Sequence, residues 1–489
     1  MRRVAILGVL SALAMTSAVG CAGSKGASPT PATALSSAKD PASQPVAAQD
    51  EPKGIEPADA VKNGNWIGAS AESEMILNGT TDTFVGVWVD VPSVKITNKP
   101  PVDLALVVDT SGSMAGAKIV NARAAAKQLI EAMQDGDIVS IDTFSDRADT
   151  FVSPTVITPD SREKLLAAVA RLRPQGSTNL FDGLSLGEAH VAQAPGTHTV
   201  RRVVVISDGI ANVGPSTPEA LGAVAERGLK FRAQVTSLGV GNDYDEHTLN
   251  ALAIKSSGRL FHVSDPVEMT AFLKKEVELL TSTVASDAFV EVMPAPGVRL
   301  VGTDGIRTDW QSSGALRIPL GALYSGQHRE ALVKVRVDPS RFEGAAQKPL
   351  ASVRLVFHDP NDGDLERIQE TVARVSATND GAAVASHASS RTQAIVAVQD
   401  AAKLKMQAAQ AMNQGQFVDA DKELAAAEKK IVAQAAVTKD DSQRKRLDAS
   451  AASIQATRRA AGAAAAAPKA VQRDEALKAN KSGMSDLGY

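Results

Sequence analysis

Asp109-Thr110-Ser111-Gly112-Ser113 sets one carboxylate and two hydroxyls at alternate positions of a short polar loop. The apolar run Leu104-Ala105-Leu106-Val107-Val108 leads into it, and a helix-forming segment follows. The loop therefore joins a strand to a helix, and at this spacing all three side chains can turn into one space. Hard oxygen donors of this kind suit Mg²⁺, which takes an octahedron of oxygen ligands and keeps several of its waters. Asp and Ser are also the residues of turns and helix caps. The loop alone thus leaves two readings open, a metal site and a capped turn, and the rest of a coordination shell has to come from elsewhere in the chain.

The elements that would position such a shell lie between residue 101 and about residue 282. Apolar strand candidates are Leu104–Val108, Ile138–Phe144, Arg202–Ser207, Lys230–Leu238 and Arg259–Val263. They alternate with helical segments at Gly116–Met133, Asp160–Arg171, Asn179–Ala192, Pro218–Glu226, Glu246–Ile254 and Pro266–Thr281. Thr217-Pro218-Glu219 carries a capping residue followed by proline, as helix starts favour. Alternation of this kind predicts an α/β fold with a doubly wound, mostly parallel sheet. Thr150-Phe151-Val152 reads as its one antiparallel edge. In open parallel sheets, ligands bind outside the carboxyl ends of strands where the strand order reverses. Two further polar loops fall at such ends: Gly176-Ser177-Thr178-Asn179 opens a helix, and Ser207-Asp208-Gly209 follows the buried run Val203-Val204-Val205-Ile206.

Taken together, Asp109-Thr110-Ser111-Gly112-Ser113, Gly176-Ser177-Thr178-Asn179 and Ser207-Asp208-Gly209 resemble, in order and spacing, the three parts of the metal-ion-dependent adhesion site of von Willebrand factor type A domains. Gly239-Val240-Gly241, followed by Asp245-Glu246 and Leu249, matches a loop and helix of bacterial members; Ser177 stands where the family often has glycine. The resemblance implies a Rossmann-like domain that binds Mg²⁺ or Mn²⁺. It implies direct coordination by Ser111 and Ser113, coordination by Thr178 directly or through water, and action of Asp109 and Asp208 through waters. A cation held by neutral hydroxyls keeps much of its positive charge and seeks an anionic oxygen from outside, typically a Glu or Asp of a partner protein. The second-shell carboxylates orient its waters.

Catalytic alternatives find little support in the residues. No G-x-S-x-G surrounds Ser111 or Ser113, and no H-E-x-x-H occurs. A phosphatase using Asp109 as nucleophile would want a second Asp where Ser111 stands. His190, His198, His247 and His262 are scattered and read as surface or core histidines, and Asp142 and Asp146 as solvated loop carboxylates. A metal-dependent hydrolase is the least favoured reading, and a non-enzyme is expected.

The chain has 489 residues, enough for two or three domains, with 52 basic and 55 acidic residues and 3% aromatics. No basic patch points to nucleic acid. Its one cysteine, Cys21, excludes an intrachain disulfide. Arg2 and Arg3 precede an apolar stretch from Val4 to Met15 that is short for a membrane span, and residues 1–20 read as a signal peptide. Ala18-Val19-Gly20-Cys21 resembles the lipobox of bacterial lipoproteins, with Ala18 where leucine is usual. That resemblance implies diacylation of Cys21 and, with Ala22 rather than Asp next, sorting to the outer membrane. Residues 21–65, rich in Ala, Ser, Pro and Gly, read as a disordered tether.

Strands flank the α/β region on both sides. Thr83–Val91 alternates with Val85, Val87, Val89 and Val91 on one face, and Ala288–Val292, Ala331–Val337 and Ala351–His358 alternate likewise. Segments 66–100 and 283–378 are therefore expected to form one β-sandwich into which the α/β domain, 101–282, is inserted. Asp359–Asp364 reads as a hairpin turn rather than a calcium loop, since Gly363 falls one position early. From 388 to 462 the spacing of Ile395, Val398, Ala402, Met406, Ala409 and Met412, and then of Phe417, Ala420, Leu424, Ala427 and Ile431, predicts a helical hairpin resembling a tetratricopeptide-type unit. It would pack on a third helix from Asp441, and residues 463–489 are expected to be a disordered tail. Two functions follow: a lipid-anchored cell-envelope protein capturing a partner's carboxylate at the metal, or an envelope-assembly scaffold whose sandwich and hairpin carry the binding.

Overall fold

The computed structural model describes residues 64–96, 99–263, 265, 267–344 and 346–488. The signal peptide, Cys21 and nearly all of the tether lie outside the described residues. Among those described, no helix is long and apolar enough to cross a membrane.

In chain order the elements are β1 (Ile67–Ala71), β2 (Met75–Leu77), β3 (Asp82–Asp90), β4 (Val102–Asp109), α1 (Ala117–Ala132), β5 (Ile138–Phe144), β6 (Ala148–Val156), α2 (Pro159–Val169), α3 (Leu180–Ala192), β7 (Val200–Ser207), α4 (Pro218–Gly228), β8 (Ala233–Val240), α5 (Glu246–Ser256), β9 (Arg259–Val263) and α6 (Glu268–Leu280). Then come β10 (Thr283–Pro294), β11 (Val298–Thr303), β12 (Asp309–Trp310), β13 (Leu316–Tyr324), β14 (His328–Val337), β15 (Lys348–Asp359), β16 (Leu365–Thr378), α7 (Gly381–Ser386), α8 (Ser390–Asn413), α9 (Phe417–Val437), α10 (Asp441–Ala464) and α11 (Lys469–Asp486).

The α/β region is one sheet in the order β6-β5-β4-β7-β8-β9. All its pairings are parallel except β5 with β6. Its central strands read as continuous apolar runs because both faces are covered; every residue of β4 is buried. On one face Leu104, Leu106, Val108, Val204 and Ile206 pack under α1, α2 and α6. On the other, Ala105, Val107, Val203 and Val205 pack under α3, α4 and α5. Gly187 lets α3 approach the sheet, since a Cβ there would lie 2.5 Å from a Val107 methyl. The strand order reverses beside β4: the chain runs to β5 and β6 on one side, then returns to lay β7 on the other.

Strands from before and after this region interleave. One sheet has the order β1-β3-β14-β11, the other β12-β13-β10-β15-β16-β2. Val85, Val87 and Val89 of β3 share a buried core with Val290, Val292, Val333, Val353 and Val375. The α/β domain is thus inserted into a β-sandwich. The Asp359–Asp364 segment is the β15–β16 connection, with Asp359 pairing Leu365 across it.

The C-terminal part departs from expectation. Residues 463–488 are not a disordered tail: α10 runs on to Ala464, and Lys469–Asp486 forms α11. Ala476, Leu477, Ala479 and Met484 of this helix are fully or almost fully buried, while Val471 stays exposed. Leu477 and Met484 join the α/β core together with Ala402 of α8. Arg473 and Asp474 reach across to Glu246 (2.9 Å) and His262 (3.0 Å). A polar, alanine-rich segment has too little apolar surface to fold alone and orders against a surface that accepts it. At its other end, α8 docks on the sandwich: Gly86 admits Thr392, and the Arg391 guanidinium sits 4.6 Å from the Trp88 ring centre and 2.6 Å from Asp90.

Asp142 also corrects its sequence reading. It is fully buried on β5 and held by His190 of α3 at 3.1 Å, while Asp146 is exposed as expected. Near it in the same helix, Glu188 faces the core at 7% exposure, and its Oε1 has no hydrogen-bond partner among the described residues. Burial pushes this carboxyl up to about 8, and the Arg227 charge offsets that only in part. A folded value above the unfolded one gives stability that is complete below about pH 4 and lost as pH rises towards 8. Glu188→Gln should remove that slope. Between pH 5 and pH 8 the variant should gain about 3–4 kcal/mol on the wild type in denaturant titrations; parallel curves would refute a buried neutral Glu188.

Candidate metal centre

Asp109 ends β4, and Asp208 follows β7, its parallel neighbour, where Val108 pairs with Ile206. Both carboxylates are fully buried. Asp109 is held on both oxygens: Oδ1 accepts the Ser111 N–H at 2.8 Å, and Oδ2 accepts the Ser207 hydroxyl at 2.7 Å. Ser111 and Ser113 share a hydrogen bond at 2.9 Å, and the Ser113 hydroxyl donates to Asp208 at 2.8 Å. Ser111 is buried, whereas Ser113 faces solvent.

Thr178 arrives on a separate loop fastened to the first by backbone bonds. The N–H of Gln175 donates to the Thr110 carbonyl, and that of Gly112 donates to the Gly176 carbonyl. Asn212 clamps Thr178 from the far side: its amide oxygen accepts the Thr178 N–H at 2.9 Å, and its own N–H returns the bond. Gly176 has a φ of 68°, and a Cβ there would lie 2.6 Å from Asp146, whose carboxylate accepts the Ser177 N–H. Asn179 caps α3 by accepting from the Asp182 N–H. The hydroxyls of Ser113 and Thr178 flank bare backbone at Gly209, where a Cβ would lie 3.6 Å from each. The structure thus gathers all five expected residues at one sheet edge.

The donors suit a hard divalent cation. Three hydroxyls and two carboxylates converge, and no site among the described residues groups three or more His, Cys, Asp or Glu side chains for a metal. Such a donor set leaves coordination positions for water or an external oxygen. The electrostatics show the strain of placing two carboxylates together. Burial pushes Asp109 up to about 6 despite the bonds from Ser111 and Ser207, and the Asp208 charge adds to the rise.

Sequence reasoning missed Lys118. Its ammonium contacts Asp208 Oδ2 at 2.5 Å and lies 4.0 Å from Asp243, with its stem against Gly241. It is partly exposed, at 23%. Five residues after Ser113 it falls in the first turn of α1, where a cation faces the unfavourable end of the helix dipole. No local pattern ties it to the site, because its partner Asp208 lies ninety residues away in the chain. One ammonium against two buried carboxylates leaves a net negative site, so Lys118 offsets part of the charge and would compete with any divalent ion held there. Lys118→Gln should therefore tighten Mg²⁺ binding on the order of tenfold by calorimetry, given a partly screened repulsion of about 1.4 kcal/mol. Weaker binding in the variant would mean that Lys118 positions Asp208 instead.

Residues 103–275 match the von Willebrand factor type A domain. The chain is 29% identical over 194 residues to the inter-alpha-trypsin inhibitor heavy chain H3 of Mesocricetus auratus, a stretch covering 38% of this chain and 22% of that relative. It therefore spans about a fifth of that protein's length. Among solved structures, a von Willebrand factor type A protein from Catenulispora acidiphila superposes with a TM-score of 0.65 at 19% identity, over 78% of this chain and 88% of its own. The ArnB paralog VWA2 from Sulfolobus acidocaldarius gives 0.54 at 16% identity, over 85% and 98%. At these identities the two structures show a shared fold that extends beyond the α/β region. Residues 103–275 form a von Willebrand factor type A domain, carried on the β-sandwich and the C-terminal helices.

Proposed function

We propose that this chain is a lipid-anchored bacterial cell-envelope protein that captures an acidic side chain of a partner protein at the Asp109, Ser111, Ser113, Thr178 and Asp208 edge, without catalysis. Von Willebrand factor type A domains mediate protein–protein interaction and adhesion. The observation that carries the reading is the donor set: hydroxyls in front, both carboxylates buried behind, and Ser113 open to solvent. Mg²⁺ or Mn²⁺ held by these residues would supply a Lewis-acidic position for a partner's carboxylate. Asp109 and Asp208 orient the hydroxyls and hold negative charge behind them. Ile210, two residues past Asp208 and 62% exposed, offers an apolar contact at the rim. The serines are bonded to one another and to Asp208, and neither is bonded to an imidazole among the described residues. That arrangement lacks the base a serine nucleophile requires.

Lipidation of Cys21 would anchor the protein, and the outer membrane is the proposed location.

Crosslinking in cells, followed by identification of the captured protein, tests the reading directly. Capture should be lost in Asp109→Ala and in Ser111→Ala, and on adding EDTA. Capture that survives all three would move the binding to the sandwich and the helices and make the metal edge regulatory. Magnesium at ten times its dissociation constant should stabilise the wild type by about 1.4 kcal/mol and raise its Tm, with no shift in Asp109→Ala. Cys21→Ala should move the protein from the membrane to the soluble fraction; retention there would exclude the lipid as the anchor.

A further inference from the structure

A cleft of about 360 Å³ opens where the type A domain meets the sandwich, at the opposite end of its sheet from the metal edge. Arg202, Gln234 and Ser257 to Arg259 come from the starts of β7, β8 and β9, while Ala322 to Arg329 come from β13, β14 and their connection. Arg202 and Ser207 are five residues apart on one strand, so roughly 17 Å separates the cleft from the ion site.

The described residues lining the cleft include Arg202, Arg259, Arg329 and His328 and no carboxylate. The carboxylate behind them, Glu276 of α6, is fully buried and already shared: it accepts from Thr236 at 2.7 Å and from Arg259 at 3.1 Å, and lies 3.6 Å from Arg202. His328 is taken by Asp90 at 2.9 Å. Two guanidiniums thus share one buried carboxylate. Arg202 is 1% exposed, and its Nε and Nη1 have no hydrogen-bond partner among the described residues, while Nη2 donates to the Tyr324 hydroxyl. A buried guanidinium with unmade donors is costly unless an acceptor completes it. Gln234 shapes the same wall by bonding the Ala322 N–H at 2.9 Å and the Ser257 carbonyl. Its close approach requires the glycine at 321, which has a φ of 70°.

We propose that this cleft binds a small oxyanion, a carboxylate or a phosphate, which completes the donors of Arg202 and clamps the type A domain to the sandwich. Guanidinium geometry matches both oxyanions, and the cleft holds either with several waters. The site is independent of the cation edge.

The test is calorimetry on the full-length chain, stripped of metal on a chelating resin, in a chloride buffer, so that no oxyanion can bind through a metal. Inorganic phosphate and succinate are titrated separately. Saturable binding of either is expected, and which one binds tells phosphate from carboxylate. Arg202→Gln should weaken binding at least tenfold while circular dichroism shows a native fold. If Arg202→Gln does not fold, Arg329→Gln decides, with a severalfold loss expected. Absence of saturable binding for both oxyanions overturns the proposal, as does unchanged affinity in a folded Arg202→Gln or, in its place, in Arg329→Gln. A cleft filled with water alone would give those results.

Discussion

The parallel pairing of β4 with β7 is the constraint on which the rest depends. These strands run on either side of the point where the sheet's order reverses, so no crossover helix covers the gap between their ends. Asp109 and Asp208 emerge side by side there, and the Ser207 hydroxyl ties the end of one strand to the carboxylate of the other at 2.7 Å. Two carboxylates brought together in a buried place repel each other. The fold answers with hydroxyls, backbone N–H groups and the Lys118 ammonium, and a net negative charge still remains. A concentration of negative charge at this edge follows from the topology before any particular ligand is considered.

The same sheet is held at its other end by a different arrangement. There the excess charge is positive, two arginines about one glutamate, and it is buried against the sandwich into which the domain is inserted. The termini of the inserted domain, β4 and α6, therefore both lead back to the sandwich strands β3 and β10, and the two bodies share a polar junction. On the flank, α11 closes over α5 and β9 through Arg473 with Glu246 and Asp474 with His262. Buried Lys405 of α8 is matched by Asp486 at 2.7 Å. Such pairs add little net stability against an apolar alternative. Their geometric demands fix which face of a small-residue helix meets the domain.

Much of the fold was legible because its signals are local. The runs at Leu104–Val108 and Val203–Ile206 are apolar throughout, as buried parallel strands must be, while β3 alternates valines that face the sandwich core with Gly86 and Trp88, which meet α8. The order of the three polar loops, each following an apolar run or opening a helix, singled out Asp109, Ser111, Ser113, Thr178 and Asp208. What stayed hidden has no local signature. Asp142 reads as a loop acid until α3 brings His190 to it, and Lys118 is an ordinary surface lysine until Asp208 arrives from about ninety residues away. The helix at 469–486 has the composition of a disordered tail, and its order comes from the partner surface.

The sequence by itself determined the alternation of strand and helix, the strand ends that carry the oxygen donors, and the pairing of early and late strands in one sandwich. These rest on backbone periodicity and on residue types suited to turns and caps, which act over a few neighbours. Only the tertiary structure decided how the charges are shared: which carboxylate Lys118 takes, why Arg202 keeps donors unmade, and where the last helix lies. Charge compensation in a buried place depends on distances between residues far apart in the chain, and those distances exist only once the chain has folded.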